Sequence, residues 1–234
     1  MLHTSGTTSR PKIVPLTNKN IYSSAENISK SLNLSEADHC LNIMPLFHIH
    51  GLIAILAASI KSGASVCASN GFNALKFLEL AKSEKITWYS GVPTMHQAIL
   101  LRAEKNLELA KNLNLRLIRS SSASLPPAVF EKLNSVFGCS VIEAYGMTEA
   151  THQMTSNPLP PNKRKAGSVG LAAGPEVALL LDDKILHNIK ENQNITGQII
   201  IKGENVTVGY ICLLYTSDAA DEGLGVDLGG RRII

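Results

Sequence analysis

The chain has 234 residues, of which 44% are hydrophobic and 18% are charged, and a formal net charge of +3 at pH 7. This length allows one substantial core, or one domain with part of another, and the balanced charge is not the basic surface of a nucleic-acid-binding protein. The four cysteines form no Cys-x-x-Cys pair, and the longest apolar run, residues 52–60, is too short to span a bilayer. We therefore expect no zinc site, no disulfide framework, no transmembrane segment and a reducing, cytoplasmic location, with the peroxisome as an alternative.

The chain opens on a hydroxyl-rich run. Residues 4–12 read Thr-Ser-Gly-Thr-Thr-Ser-Arg-Pro-Lys. Short hydroxyl and backbone N–H donors followed by the point charge of Lys12 suit a polyphosphate. The spacing does not match the P-loop pattern of Gly, four residues and Gly-Lys-Ser/Thr. The run therefore predicts a phosphate-binding loop of another kind, and an ordinary polar turn is the alternative.

Helical and strand-like segments alternate through the next 130 or so residues. Helical spacing is found at residues 18–32, 51–61, 72–83, 93–105 and 127–137, the first of them capped by Thr17. Strand-like runs are found at residues 41–44, 64–68, 86–89, 116–119 and 140–143. This alternation predicts right-handed β-α-β units on a largely parallel sheet. After Pro158 the pattern changes to short strands at 177–181 and 198–201, which predicts an α/β part over 1–157 and a small β-rich part over 158–211.

Three further segments follow predicted strands and carry polar side chains. Residues 45–51 read Pro-Leu-Phe-His-Ile-His-Gly, residues 119–126 read Arg-Ser-Ser-Ser-Ala-Ser-Leu-Pro, and residues 143–150 read Glu-Ala-Tyr-Gly-Met-Thr-Glu-Ala. The carboxyl ends of strands in open parallel sheets are where ligands bind. The sequence therefore predicts one ligand site formed by all three segments. A packed or hydrogen-bonded role is the favoured interpretation of His50, and a helix cap is a second reading of the Ser-rich segment.

In this order the four segments resemble the motifs of the adenylate-forming superfamily, which comprises acyl-CoA synthetases, luciferases and peptide-synthetase adenylation domains. The resemblance covers about residues 2–211. It implies an α/β fold: the parallel-sheet β-α-β subdomain of an adenylate-forming N-terminal domain, followed by a small β-rich subdomain. The sequence departs from the usual pattern at Ser9 and Ser122, where many relatives have Gly, at Ser124, where Ala is common, and at Gln198, where Glu is usual.

The resemblance also implies roles for individual residues, with ATP, Mg²⁺ and coenzyme A as cofactor and co-substrates. The nucleotide would contact the loop and two later segments, at Thr4, Ser5, Gly6, Thr7, Thr8, Ser9, Lys12, Ala123, Ser124, Tyr145, Gly146 and Thr148. Tyr145 would stack on adenine, and Glu149 would hold Mg²⁺, which accepts one or two carboxylates beside phosphate oxygens. Lys12, Thr148 and Glu149 are the predicted catalytic residues. His48 would lie at the mouth of the acyl pocket.

Polar residues in the predicted acyl pocket indicate the substrate. Ser122 and His152 would be left unpaired by an apolar acid, which is costly for buried groups, whereas a short dicarboxylate would pair them. Between Ser120 and Ser156 the only Lys or Arg is Lys132, so an imidazole and a hydroxyl are the local candidates for receiving a second carboxylate. The combined motifs are most similar to the oxalate–CoA ligases of plants and fungi, so oxalate is the expected substrate.

Three alternatives stay open. The acid could be a 4-coumarate- or fatty-acid-type substrate in a long apolar pocket, and the chain could be a nucleotide-binding module without turnover. His152 could be an ordinary core or surface histidine.

Both ends of the chain depart from the resembled pattern. The phosphate loop starts at residue 2 without a preceding strand, and residues 212–234 resemble a translated sequencing adapter. We expect that the first part of the domain and the lysine-bearing C-terminal domain of the family are missing, that 212–234 is a non-native tail, and that this chain alone is inactive. A natural Gly-rich tail is the alternative.

Overall fold

A computed structural model describes residues 1–4, 12–187 and 195–211. The helical elements are α1 Asn18–Ser31, a π-helical segment His50–Ala57 continuing into α2 Ala58–Lys61, α3 Phe77–Ser83, α4 Pro93–Ala103, α5 Leu107–Lys111, α6 Pro127–Phe137 and a 3₁₀ turn Thr148–Ala150. The strands are β1 Leu2–His3, β2 Ile13–Val14, β3 His39–Asn42, β4 Ser65–Ala68, β5 Trp88–Gly91, β6 Leu117–Ser120, β7 Ser140–Met147, β8 His152–Ser156, β9 Leu171–Ala172, β10 Glu176–Leu181, β11 Lys184–Leu186 and β12 Gln198–Lys202.

A seven-stranded mixed sheet forms the centre of the molecule, in the order β4-β3-β5-β6-β7-β8-β9. The strands from β4 to β7 are parallel, which confirms the predicted α/β fold. Strands β8 and β9 add two antiparallel neighbours at one edge. The sequence did not predict this hairpin, because its turn contains no glycine: Thr151 and His152 adopt φ values of 49° and 93° instead.

Helices cover both faces of the parallel strands. Tyr89 and Ile118 face a core shared with α3, α4 and α6, whereas Trp88 and Leu117 face a core shared with α1 and the π-helical segment. Neighbouring residues of a strand point to opposite faces, so these strands are covered on both sides, and β5 and β6 are buried at every position. Strand β6 lies at the middle of this arrangement, between β5 and β7.

Several predicted elements differ in detail from those observed. The Thr17 cap is confirmed, since its hydroxyl accepts a hydrogen bond from Asn20 N at 3.1 Å and Asn20 Oδ1 accepts one from Thr17 N at 2.9 Å. The helix predicted at 72–83 begins only at Phe77, and the short helix α5 was not predicted. The helix predicted at 51–61 begins one residue earlier, at His50, with π-helical geometry.

Strands β10, β11 and β12 form a separate three-stranded antiparallel sheet. The loop after β12 is bound closely to the α/β part: Asn205 Nδ2 donates to the carbonyl oxygens of Ala150 and Gln153 at 2.8 and 3.1 Å. Asn20 Nδ2 in turn donates to Glu204 O and Val206 O. The β-rich part therefore supports the turn that leads into β8. Among the described residues, no helix has both the length and the hydropathy needed to cross a membrane.

Candidate active site

The predicted site residues follow strands that end at one edge of the main sheet. The π-helical segment after β3 begins at His50, β6 is followed by Ser122, and β7 is followed by Glu149. Because β3, β5, β6 and β7 are parallel, these three positions lie at the same edge, where open α/β sheets bind ligands. Ser122, Ala123 and Ser124 are exposed there.

The start and end of the phosphate loop are held together as a hairpin. Strands β1 and β2 pair antiparallel, Thr4 N donates to Lys12 O at 2.9 Å, and Thr4 Oγ1 accepts from Lys12 N at 3.1 Å. The intervening predicted residues, Ser5, Gly6, Thr7, Thr8 and Ser9, lie outside the described residues. The structure thus describes the two ends of the predicted loop, at Thr4 and Lys12. The contacts of the loop with phosphate stay a prediction.

Tyr210 connects Lys12 with Glu149. Its hydroxyl donates to Glu149 Oε1 at 2.7 Å, and Lys12 Nζ lies 4.9 Å from the centroid of its ring. Glu149 is buried, with 9% of its surface exposed, and its backbone oxygen accepts from Thr207 N at 2.8 Å. A fixed carboxylate is the hard oxygen donor that Mg²⁺ prefers, so Glu149 fits the predicted metal role. Sequence analysis gave Tyr210 no role and missed this contact.

Gly146 has a steric role that the sequence did not indicate. The pairing of β7 with β8 shifts register between Tyr145 and Gly146, and a Cβ atom at Gly146 would overlap the carbonyl oxygen of His152. Only glycine allows this close approach of two backbones. Gly146 therefore sets where His152 emerges from the hairpin, and its predicted contact with the nucleotide stays a prediction.

His50 and Ser122 meet at the predicted acyl end of the site. His50 is fully buried; its Nδ1 lies 3.0 Å from Ser122 Oγ and its Nε2 lies 2.6 Å from Ser90 Oγ. His152, at 2% exposure, lies beside it with 5.1 Å between ring centroids. His48 is half-buried, and its Nδ1 accepts from His50 N at 3.1 Å.

Two of these residues have an uncommon backbone conformation. Ser122 has φ of 70° and His152 has φ of 93°. A positive φ is unfavourable for residues with a Cβ, and such strain is concentrated at functional sites. Both strained residues are among those that the sequence assigned to the substrate.

Arg119 is the main residue that sequence reasoning missed. Its side chain is fully buried, and its guanidinium contacts both histidines: Nη1 lies 3.5 Å from His50 Nε2, and Nη2 lies 3.4 Å from His152 Nδ1. Gln153 Oε1 accepts from Nη2 at 3.2 Å. No carboxylate in the described ranges 1–4, 12–187 and 195–211 forms an ion pair with it.

The expectation that an imidazole and a hydroxyl are the local candidates for receiving a second carboxylate stays a prediction, and it rests on a count of cations that begins at Ser120. Arg119 lies one residue before that window. One signal was available: Arg119 is two residues after Leu117 in a strand, and i, i+2 residues share a face.

The charges of this cluster are set by burial and by Arg119. Burial lowers the pKa of Arg119 to about 9, which leaves it protonated at neutral pH. Burial, and next the charge of Arg119, hold the pKa values of His50 and His152 well below the ordinary 6.5. Both rings are therefore neutral at pH 7, and the positive charge of this cluster is that of Arg119.

Comparison with known proteins defines the class of this chain. The model of the AMP-binding enzyme family matches residues 1–211. The chain therefore belongs to the AMP-binding enzyme family, the adenylate-forming enzymes.

Two curated relatives and one solved structure are similar to most of this chain. The chain is 48% identical over 212 residues to the oxalate–CoA ligase of Arabidopsis thaliana, a match that covers 89% of this chain and 40% of that protein. It is 44% identical over 211 residues to the oxalate–CoA ligase of Saccharomyces cerevisiae, covering 90% of this chain and 37% of that protein. The crystal structure of ATP-bound MatB from Rhodopseudomonas palustris superposes with a TM-score of 0.78 at 30% identity, covering 89% of this chain and 40% of that one. The chain spans about two fifths of the length of the curated relatives it matches.

Proposed function

We propose that this chain supplies the nucleotide- and acyl-binding parts of an ATP-dependent carboxylate–CoA ligase whose acid is a short dicarboxylate, oxalate. The observation that carries the proposal is the positively charged cluster at the carboxyl ends of the strands, in which Arg119, His50 and His152 are buried and Ser122 is exposed beside them. The similarity to two oxalate–CoA ligases supports the same substrate.

The proposed reaction has two steps. A substrate carboxylate oxygen attacks the α-phosphorus of ATP and pyrophosphate leaves, which gives an acyl-adenylate. The thiol of coenzyme A then attacks the acyl carbon, loses its proton and displaces AMP, which gives the thioester. Lys12 and Thr4 would position and neutralise the β- and γ-phosphates, Tyr145 would support adenine, and Thr148 would contact the phosphates.

Glu149 would hold Mg²⁺, which neutralises phosphate charge when it is bound. Its carboxylate is already oriented by Tyr210, so the side chain needs no rearrangement to offer an oxygen. The hydroxyl of Tyr210 and the backbone of Thr207 thus act on Glu149 from the β-rich part of the chain.

The charge balance of the acyl end favours a dianionic acid. Arg119 is desolvated, and no described carboxylate pairs with it. A buried charge without a counter-charge is strongly unfavourable, and a second carboxylate on the substrate would supply that counter-charge. An apolar acyl chain would leave the charge and the donors around it unpaired.

A longer apolar acid is the second candidate, because an apolar cavity lies at the same edge of the sheet. It has a volume of about 490 Å³ and is lined by Ile43, Phe47, Phe72 and Met95, among others. This cavity lies beyond the ends of β3 and β4, two strands away from Arg119.

A substrate series tests the proposal. The full-length protein is supplied with ATP, Mg²⁺ and coenzyme A and with oxalate, malonate, acetate or hexanoate, and pyrophosphate release and thioester formation are measured. Oxalate should have the highest kcat/KM, at least about tenfold above acetate, as expected for one added charge-assisted hydrogen bond. A preference for hexanoate would support the second candidate, and ATP binding without pyrophosphate release would indicate a non-catalytic module.

A further inference from the structure

We propose that Arg119 is a positioning residue that fixes the tautomers of His50 and His152, so that Ser122 and His152 each present a hydrogen-bond donor to the second acidic group of the substrate. The inference rests on the proposed function for the identity of that group. It rests on the geometry alone for the tautomers.

Arg119 fixes the tautomer of His152 by direct contact. A guanidinium has only donors, so His152 Nδ1, 3.4 Å from Arg119 Nη2, must be the acceptor. A neutral imidazole carries one proton, which then lies on Nε2. No hydrogen bond among the described residues uses His152 Nε2, so this N–H remains available to a ligand.

Arg119 acts on Ser122 indirectly, through the tautomer of His50. His50 Nε2 lies 3.5 Å from Arg119 Nη1 and 2.6 Å from Ser90 Oγ, so this nitrogen accepts. The proton of His50 is then on Nδ1, which donates to Ser122 Oγ at 3.0 Å. Because Ser122 Oγ accepts from His50, its own hydroxyl proton is free for the substrate.

The hydroxyl of Ser90 also contacts His50 Nε2. Its hydroxyl can donate to His50 Nε2 at 2.6 Å or to Arg119 O at 3.2 Å, while its oxygen lies 3.4 Å from Arg119 Nη1. Only the first arrangement presents donors alone to His50 Nε2; in the second, the Ser90 oxygen faces that nitrogen and would accept a hydrogen bond from a protonated Nε2. The inferred tautomer of His50 therefore requires that the Ser90 hydroxyl donates to His50 Nε2, and Arg119 Nη1 favours this orientation because it can only donate, both to that nitrogen and to the Ser90 oxygen.

The guanidinium itself is held in place from the far side. Gln153 Oε1 accepts from Arg119 Nη2 at 3.2 Å, and Gln153 Nε2 donates to Ser31 Oγ at 2.9 Å and to Ala173 O at 3.1 Å. The carboxamide orientation is fixed by these two acceptors, so its oxygen must face Arg119. Arg119 is thus fixed between an acceptor on β8 and the two rings that it orients.

The charges around each ring favour the neutral form. His50 is faced by Arg119, His48 and His96, and His152 is faced by Arg119, His50 and His48. Protonating either ring would bring a second positive charge next to the guanidinium in a buried site. The pocket therefore offers one positive charge and two neutral donors over the physiological pH range.

The direct test is the tautomer of each ring, which requires no substrate. Long-range ¹H–¹⁵N correlation spectra of the full-length protein with ¹⁵N-labelled histidine, assigned with single-histidine variants, distinguish a protonated from a bare ring nitrogen. The inference predicts a proton on Nε2 of His152 and on Nδ1 of His50 between pH 6 and 8. The opposite tautomer in either ring, or a protonated ring at pH 7, would overturn it.

The kinetics of two variants test whether the tautomers affect activity. Arg119→Met should lower kcat/KM for oxalate by about 10- to 150-fold, mainly through KM, with the KM for ATP unchanged, because each charge-assisted hydrogen bond is worth about one to two powers of ten. It should also shift the titration of both rings toward higher pH, since burial still lowers their pKa values but the second cause, the charge of Arg119, is removed. Ser90→Ala keeps the guanidinium and should have a smaller effect, limited to the His50 tautomer and oxalate KM.

The outcomes separate the two proposals. Unchanged tautomers and an unchanged pH profile in a folded Arg119→Met protein would refute the positioning role. The predicted tautomers together with no activity on oxalate would refute the proposed substrate and keep the inference. If Arg119→Met does not fold, the tautomers of the wild-type protein and the oxalate KM of Ser90→Ala still test the inference.

Discussion

The two ends of strand β6 use an arginine in opposite ways. Arg116, just before the strand, binds the buried carboxylate of Asp38 with two hydrogen bonds, Nε to Oδ1 at 2.7 Å and Nη2 to Oδ2 at 2.8 Å. Arg119, three residues later at the carboxyl end, is fully buried and forms no ion pair within the described part of the chain. The counter-charge of Arg116 is Asp38 of the same chain. No described carboxylate supplies a counter-charge for Arg119, so a ligand could supply it.

The energetics of the two sites make this difference informative. Burying a cation without a counter-charge costs stability, and a chain selected only for stability would replace Arg119 by an apolar residue. Its retention beside two neutral histidines is expected if a ligand supplies the missing anion. The comparison therefore separates a stabilising ion pair from a binding site by their measurable consequences.

The largest expected effect on folding comes from breaking the pair at the start of β6. Asp38→Ala removes a carboxylate that accepts hydrogen bonds from Arg116, Ser35 N and Thr87. The free energy of unfolding should fall by about 2 to 3 kcal/mol, below the range for a fully buried pair because Arg116 is 36% exposed. Urea denaturation measures this loss, and the ratio of oxalate to acetate activity should stay as in the wild type.

Arg119→Met is the matched control for that measurement. It should cost less than about 1 kcal/mol of stability or raise it, because removing a buried charge without a counter-charge offsets the hydrogen bonds that His50, His152 and Gln153 lose. A destabilisation as large as that of Asp38→Ala would mean that Arg119 serves the fold in the same way as Arg116, and the contrast between the two ends of β6 would be lost.

Much of this contrast could not be predicted from the sequence. The order of motifs and the alternation of helices and strands predicted the α/β fold, and the Ser-rich and acidic segments predicted which residues gather at the strand ends. Arg119 was missed because a charged residue in a short strand does not show that both faces are covered. Only the position of β6 between β5 and β7, with helices on both faces, shows this burial.

The position of His152 also depends on structure distant in sequence. Its turn has two residues with positive φ and no glycine, so no local turn signal marks it. Asn205, more than 50 residues later, fixes that turn through Ala150 and Gln153, and Gly146 provides the space for it. Local patterns cannot report contacts of this range.

Acid stability offers a second view of the pair. Burial alone would raise the pKa of Asp38, but hydrogen bonds from Arg116, Ser35 and Thr87 outweigh it and hold the pKa below the ordinary 3.8. A carboxyl group with a lowered folded-state pKa stabilises the protein above its unfolded pKa, and this contribution is lost as the pH falls toward and through the folded value. Wild-type stability should therefore fall more steeply below about pH 4 than that of Asp38→Asn. Parallel acid denaturation curves for both proteins would contradict this.

The smallest expected effect is that of the hydroxyl at the surface of the site. Ser122→Ala removes one neutral donor and leaves Arg119, His50 and His152 in place, so oxalate kcat/KM should fall by about 2- to 10-fold. Stability should change little, since Ser122 is exposed and its φ of 70° is equally unfavourable for alanine. Steady-state kinetics with oxalate and acetate measure the effect, and an equal loss on both acids would assign Ser122 to the nucleotide instead.

The most direct test of the proposed dicarboxylate pocket is the substrate preference of His152→Ala. Wild-type and variant full-length proteins are assayed for pyrophosphate release with oxalate and with acetate under the same conditions. Loss of a hydrogen bond to a charged group should lower oxalate kcat/KM by about 10- to 150-fold, while acetate, which has no second carboxylate, should lose much less. If both acids lose activity by the same factor, His152 supports the fold or the nucleotide, and the charged cluster around Arg119 is not the site of the second carboxylate.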